Sequence, residues 1–258
     1  MNIISSSNVT KRFGGLEAIR NLDVEIAEAS ITSVIGPNGA GKTTFFNCIT
    51  GYYKPEFGNI LFLEKEITGL PPHRIAEEGI SRTYQNIRLF NSLTVIENIL
   101  AGEHTTLHSS LADSLFASKR YKIEETESVQ RAKEILAFVG LCGCGDQLAC
   151  NLAYGAQRRL EIARAIANSP KALLLDEPTA GMNPAETVEM IKLIRRLRDH
   201  LGITIILIEH DIKLVMEISE KIIVLDFGSK IAEGNPFEIQ NDPTVIEAYL
   251  GKKNSQYQ

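Results

Sequence analysis

The sequence predicts an α/β protein built around a parallel sheet, and three stretches carry that expectation. The β-branched, apolar run Ile31–Ile35 leads into a glycine-rich stretch and then into a helix-forming segment at 44–49. Lys171-Ala172-Leu173-Leu174-Leu175 is a second buried run, closed by Asp176, Glu177 and a proline. A third, at 203–208, ends in Glu209-His210-Asp211. In a parallel α/β sheet the C-terminal strand ends face the ligand crevice, so these polar residues are gathered at one edge.

The glycine-rich stretch is Gly36-Pro37-Asn38-Gly39-Ala40-Gly41-Lys42-Thr43-Thr44, which fits G-x-x-x-x-G-K-[ST]. Strand, loop and helix follow one another as that phosphate-binding pattern requires. Its glycines let backbone N–H groups close around a β-phosphate, and the helix N-terminus adds partial positive charge. Lys42 is expected to reach the β- and γ-phosphates and the Thr43 hydroxyl to ligate Mg²⁺. The chain is therefore expected to bind a nucleoside triphosphate.

The strand ends supply the rest of a hydrolytic site. Desolvated carboxylates cost several kcal/mol unless paired, so Asp176 and Glu177 at the end of a buried run need a reason. Beside a phosphate loop, Asp176 can hold Mg²⁺ directly or through its waters, and Glu177 can orient and deprotonate water. A purely structural salt bridge is the competing reading. His210 reaches the same edge and reads as a γ-phosphate sensor. The strand at 80–84 delivers Gln85 there too.

Composition bounds the class. The 258 residues are 44% hydrophobic and 23% charged, ordinary for a soluble globular protein. No apolar run approaches the roughly 18 residues that cross a bilayer, and Met1-Asn2-Ile3-Ile4-Ser5-Ser6-Ser7 has neither basic leader nor signal core. The chain is expected to be cytoplasmic. A formal net charge of -5 argues against broad nucleic-acid binding. The four cysteines predict no disulfide framework, and Cys142-Gly143-Cys144 lacks a second pair at metal-ligand spacing.

The remaining chain reads in order. A strand at 8–13 ends in Phe13, which is either core or a ring on which adenine stacks, and Gly14-Gly15 turns it. Leu22, Val24 and Ile26 alternate with acids as a half-buried strand, and 58–63 closes this antiparallel portion. Prolines open a short helix at 71–78. Thr94 caps a helix at 95–100, a polar stretch runs from Glu103 to Tyr121, and Val129, Ala132, Ile135, Leu136 and Val139 share one helical face. A helix is expected at 158–168, and Asn183-Pro184 opens another. Strands at 222–225 and up to Glu233 flank a turn at 226–228, before two small C-terminal helices.

Taken together, these motifs resemble the ATPase subunit of an ABC transporter over essentially the whole chain. Gln85 matches the Q-loop, Leu152 to Gln157 the signature, Asp176-Glu177 the Walker B pair, Ala180-Gly181-Met182-Asn183 the D-loop and His210 the switch histidine. The resemblance implies a RecA-like P-loop core with an antiparallel β subdomain and a helical insertion. It implies one domain over 1–258, with core and β subdomain at 1–92 and 158–258 and a helical subdomain at 93–157. It also favours the adenine-stacking role for Phe13. In the family two cassettes dimerise head to tail, each P-loop facing the partner's signature, so Ala153, Gly155 and Gln157 are expected to contact the partner's ATP.

The signature departs from Leu-Ser-Gly-Gly-Gln: Ala153, Tyr154 and Ala156 replace the serine, first glycine and final glutamine, and Asn183 replaces the D-loop aspartate. Losing the serine hydroxyl removes a hydrogen bond to a charged phosphate, about 1.5–3 kcal/mol. The variants Leu-Ala-Tyr-Gly, Ala-Gly-Met-Asn-Pro and Arg-Thr-Tyr-Gln-Asn-Ile-Arg-Leu-Phe look like the branched-chain (hydrophobic) amino acid importers. That subfamily implies ATP and Mg²⁺ as ligands and a second, different ATPase subunit of LivF-like type. It also implies two membrane permeases, a periplasmic substrate-binding protein, no nucleic acid, and a peripheral place on the cytoplasmic face of the inner membrane. Closely similar subunits serve urea importers and lipopolysaccharide exporters. Soluble ABC ATPases acting on DNA or ribosomes carry coiled-coil insertions or two cassettes per chain, which this sequence lacks.

Overall fold

The protein was analysed as a computed structural model, which describes residues 1–103 and 118–250. Strands β1 (Asn2–Phe13), β2 (Leu16–Ala27), β4 (Phe57–Phe62) and β5 (Lys65–Glu66) form an antiparallel sheet in the order β2-β1-β4-β5. The second sheet has six strands in the order β10-β9-β3-β8-β7-β6. Its members are β3 (Ile31–Ile35), β6 (Ile80–Arg82), β7 (Ala172–Asp176), β8 (Thr204–Ile208), β9 (Lys221–Asp226) and β10 (Ser229–Gly234). Every pairing in it is parallel except β9 with β10. The α/β architecture is thus the one expected.

Alternation along the parallel strands explains why they are apolar throughout. Ala172 and Leu174 face one core with Ile206, Ile208 and the antiparallel sheet, while Leu173 and Leu175 face a second core of helices. A strand buried on both faces has no room for a polar residue until it emerges. The first core also receives Phe45, Phe46 and Ile49 of α1 (Lys42–Ile49), wedged between the two sheets. This packing fixes the phosphate loop, because α1 begins immediately after it.

The helical side is built from α3 (Val95–Gly102), α4 (Lys119–Phe138), α5 (Tyr154–Ile166), α6 (Pro184–Leu201) and α7 (Ile212–Ile218). The short α2 (Pro72–Glu78) precedes β6, and α8 (Pro236–Asn241) and α9 (Pro243–Leu250) end the described chain. The caps at Thr94 and Asn183 are present, each as a reciprocal capping box with Glu97 and Glu186. The face of Ala132, Leu136 and Val139 is buried as expected. Most of the polar stretch from Glu103 to Tyr121 lies outside the described residues, and α4 begins within it.

Several boundaries differ from the sequence reading, among them the strand expected at 80–84, which ends at Arg82 and leaves Gln85 beyond it. The first strand starts at Asn2, six residues earlier, because Ser6 does the work of a paired strand residue. Its hydroxyl donates to the Leu22 carbonyl and accepts the Val24 amide across a bulge between Ser6 and Val9. Helix α5 starts at Tyr154, not at Arg158, and ends at Ile166. Its N-cap is Ala153, which offers no side-chain hydrogen bond, so the usual capping residue is missing from the sequence.

Candidate functional site: a phosphate loop facing a carboxylate, an amide and an imidazole

The loop between β3 and α1 folds as its glycines require. Gly41 is the N-cap of α1 with φ 102°, and a Cβ there would lie 2.5 Å from the Ala18 carbonyl oxygen. At Gly36, φ is 149° and a Cβ would lie 2.0 Å from the Leu225 carbonyl oxygen. Neither position admits a side chain, so the loop's backbone is pressed against β2 and β9, and the Ala40 amide donates to the Pro37 carbonyl at 3.1 Å to close its turn. Lys42 is 6% exposed, and its Nζ donates to the carbonyls of Gly36 at 2.6 Å and Pro37 at 3.0 Å. Burial lowers its pKa, against the opposing pull of Glu177 and Asp176.

A cavity of about 980 Å³ opens over this loop. Asn38, Gly39, Ala40, Gly41, Lys42, Thr43 and Thr44 line it, and so do Phe13, Gln85, Glu177 and His210. Gly36, Pro37 and Asp176 are not among its lining residues. The structure therefore brings eleven of the residues singled out by sequence to one concavity. Ala153, Gly155 and Gln157 do not line it; they sit at the start of α5, away from this chain's own loop.

Phe13 ends β1 at the cavity rim, 43% exposed, with its ring edge-on to Tyr53 at 5.1 Å and beneath Lys11 Nζ at 5.2 Å. It is absent from the buried core, which removes one of its two readings. A ring held by neighbours yet open on one face is suited to stacking a flat base.

Glu177 occupies the left-handed region with φ 50°, a rare conformation for a side-chain-bearing residue. Its amide donates to the Ile208 carbonyl at 2.9 Å, tying the end of β7 to that of β8. The carboxylate is gripped on both sides: Gln85 Nε2 donates to Oε2 at 3.1 Å, and His210 Nε2 lies 2.9 Å from Oε1. Strain of about 1–3 kcal/mol at such a residue persists only where surrounding bonds impose it. Here they aim an acid at the loop.

Several side chains were not anticipated. Asp176 Oδ2 accepts from Arg82 Nη2 at 2.8 Å, both side chains 5% exposed. The same guanidinium donates to Asn47 Oδ1 at 2.6 Å and packs over Tyr84 and Phe46. The acidic pair is thus split in role: Asp176 has a structural salt bridge, and Glu177 faces the cavity. Arg82 was a visible anomaly, an arginine in a buried strand, although its partner was not. Glu209 is likewise buried and accepts from the amide and hydroxyl of Thr179, at 3.0 and 2.5 Å, holding the turn after Glu177 against β8.

The oxygen donors near the loop, the Thr43 hydroxyl, the Gln85 amide carbonyl and the second oxygen of Asp176, are hard ligands of the sort Mg²⁺ takes together with phosphate oxygens. The donor set therefore fits that ion.

A phosphate loop on a parallel sheet, with an antiparallel sheet carrying an aromatic rim and a helical layer beside it, defines an ATP-binding cassette. The chain belongs to the ABC transporter family. The family profile described as "ABC transporter" matches residues 19–180, and one described as "Branched-chain amino acid ATP-binding cassette transporter" matches residues 229–253. The chain is 48% identical over 250 residues to the high-affinity branched-chain amino acid transport ATP-binding protein LivG of Salmonella typhimurium, covering 97% of this chain and 98% of that one. Among solved structures it is similar to the ADP conformation of MJ1267, an ATP-binding cassette of an ABC transporter. The TM-score is 0.85 at 34% identity, over 98% of this chain and 100% of that one. A dimeric post-hydrolysis state of the cassette MJ0796, bound to ADP and Pi, matches at TM-score 0.76 and 26% identity, over 90% and 98%. Membership makes this chain an ATP-hydrolysing cassette of a transporter.

The rim geometry yields a direct expectation. Phe13→Ala should weaken ATP binding by about 5- to 150-fold, the loss of one base-stacking contact worth about 1–3 kcal/mol. Titration with a fluorescent ATP analogue measures it, and tripolyphosphate, which has no base, should bind both proteins alike. Unchanged ATP affinity would mean that the base lies elsewhere.

Proposed function

We propose that the chain is the ATP-hydrolysing subunit of an importer for branched-chain amino acids, with Glu177 as the base that activates water. The single observation that carries the catalytic assignment is the placement of Glu177 at the mouth of the P-loop cavity, its carboxylate held between Gln85 and His210. The similarity to LivG along nearly the full length supports the cargo class.

In this reading adenine stacks on Phe13 and the loop amides with Lys42 hold the β- and γ-phosphates. Glu177 takes a proton from water as its oxygen attacks the γ-phosphorus, and the bond to the ADP oxygen breaks. His210 donates to a γ-phosphate oxygen when it leaves Glu177. Thr43, Gln85 and Asp176 would hold Mg²⁺, which neutralises charge developing on the phosphates. Arg82 keeps Asp176 from being a lone buried anion before the ion arrives.

The start of α5, with Ala153, Gly155 and Gln157, is read as the surface offered to the ATP of a second, LivF-like ATPase subunit. Head-to-tail pairing puts it outside this chain's own cavity. Two permeases and, through them, a periplasmic binding protein complete the importer, with this chain peripheral on the cytoplasmic face of the inner membrane. No helix among the described residues is long and apolar enough to cross a membrane. The core and β subdomain comprise 1–92 and 158–258 and the helical subdomain 93–157, and Gln85 precedes that junction. A groove of about 300 Å³ lies there, flanked by Tyr84, Phe90 and Arg164, and suits a cytoplasmic loop of a permease.

Glu177→Gln should retain ATP binding and slow hydrolysis by about 10²–10⁴-fold. Steady-state phosphate release from the assembled transporter tests this, and near-normal turnover would remove Glu177 from the mechanism. For the docking face, cysteines placed between positions 87 and 96 should crosslink to a cytoplasmic permease loop. Crosslinks formed only from α8 and α9 would move the contact to the opposite end of the chain.

A further inference from the structure

The backbone from Tyr84 to Arg88 carries Gln85 but belongs to no helix or strand. Two side chains of α5 hold it. Arg158 Nη1 donates to the Tyr84 carbonyl at 2.7 Å, and Nη2 donates to the Gln85 carbonyl. Glu161 Oε1 accepts the amides of Tyr84 at 3.4 Å and Arg88 at 3.2 Å. Donors and acceptors of an irregular segment are thus met from a single helix face.

The two side chains also pair with each other, Nη1 to Oε2 at 3.2 Å, with exposures of 2% and 1%. Burying such a pair is a poor way to stabilise a helix, because desolvation opposes the attraction and hydrocarbon of the same volume often does as well or better. Burial pushes the Glu161 carboxyl above its ordinary range, and Arg158 Nε has no hydrogen-bond partner among the described residues. Leu160 and Ile162 already anchor α5 in the core. The pair therefore answers a need other than packing.

Its reach shows what that need is. Arg158 Nη2 lies 3.3 Å from the Tyr154 hydroxyl, in the first turn of α5. The Tyr154 ring covers Gly181, where a Cβ would stand 3.3 Å from it. On the other side, the Gln85 side chain bonds Glu177. One guanidinium joins the residue that replaces a signature glycine to the backbone of the residue that grips the acid.

We propose that Arg158 and Glu161 are positioning residues that hold the segment 84–88 against α5. They keep Gln85 and Glu177 in register with the phosphate loop and transmit any displacement of Gln85 to the start of α5. The proposal deepens the reading of Glu177 as the base and rests on it. A pair that served only to fasten the core would act on the whole helix and not on this segment.

The test uses the full chain with Glu161→Gln, Arg158→Met and Arg158→Lys. Hydrogen exchange of 84–88 should quicken at least tenfold in the first two, while peptides from α5 and β7 keep wild-type protection. The affinity for a fluorescent ATP analogue should stay within twofold, because neither residue lines the cavity. ATP turnover with the transport partners should fall at least tenfold in kcat at unchanged KM. Arg158→Lys, which keeps the charge, should recover part of both losses. Wild-type kcat despite faster exchange at 84–88, or protection lost throughout α5 and β7, would overturn the proposal. So would unaltered exchange. If Arg158→Met does not fold, Glu161→Gln and Arg158→Lys decide by the same readings. Normal turnover in Glu177→Gln combined with low kcat in Glu161→Gln would remove the base assignment and leave the clamp standing.

Discussion

The nucleotide site depends on a buried cation that forms no direct ion pair among the described residues. Lys42 is almost enclosed, yet among the described residues it donates only to carbonyls of its own loop, Gly36 and Pro37. Its ammonium is partly desolvated, which disfavours the charged form, and the pull of Glu177 and Asp176 offsets this only in part, so a further counter-charge would stabilise it. Polyphosphate provides that counter-charge at the N-terminus of α1. The two glycines that cannot accept a Cβ, α1 wedged between the sheets, and the acid held across the cavity all follow from building a place where this cation meets a phosphate chain.

Around the loop, the sheet acts as a ruler. Strands β3, β7 and β8 are hydrogen-bonded neighbours in parallel register, so residues that follow their ends arrive at one edge. Glu177 follows β7, His210 follows β8 and the loop follows β3. Gln85 lies three residues past the end of β6, an edge strand, and needs more than register to be placed. That difference explains the side-chain bonds lavished on 84–88. It also links the cavity to the helical layer, since α5 both begins at the signature and grips the Gln85 backbone.

Much of this was legible in the sequence because the informative patterns are local. The loop, the acid pair, and the caps at Thr94 and Asn183 each lie within a few residues, and apolar alternation located the strands. What escaped the reading was set by distance along the chain. Arg82 bonds Asp176 across 94 positions, and Arg158 bonds Tyr84 across 74. An arginine in a buried strand and an Arg-x-x-Glu pair on a buried helix face announce that partners exist without naming them. The early start of α5 escaped for another reason: Ala153 cannot cap, so the helix begins without its customary polar marker.

The most direct measurement is the stability of Lys42→Met with and without nucleotide, by urea denaturation. Removing the buried ammonium loses two hydrogen bonds and a desolvation penalty together, so the free protein should stay within about 1 kcal/mol of wild type. Wild type should gain about 2.7 kcal/mol from MgATP at a hundred times its Kd, and the variant should gain almost nothing at the same concentration. A variant several kcal/mol less stable when free, yet stabilised by MgATP as fully as wild type, would mean that Lys42 fastens the fold and that phosphate is held by other groups.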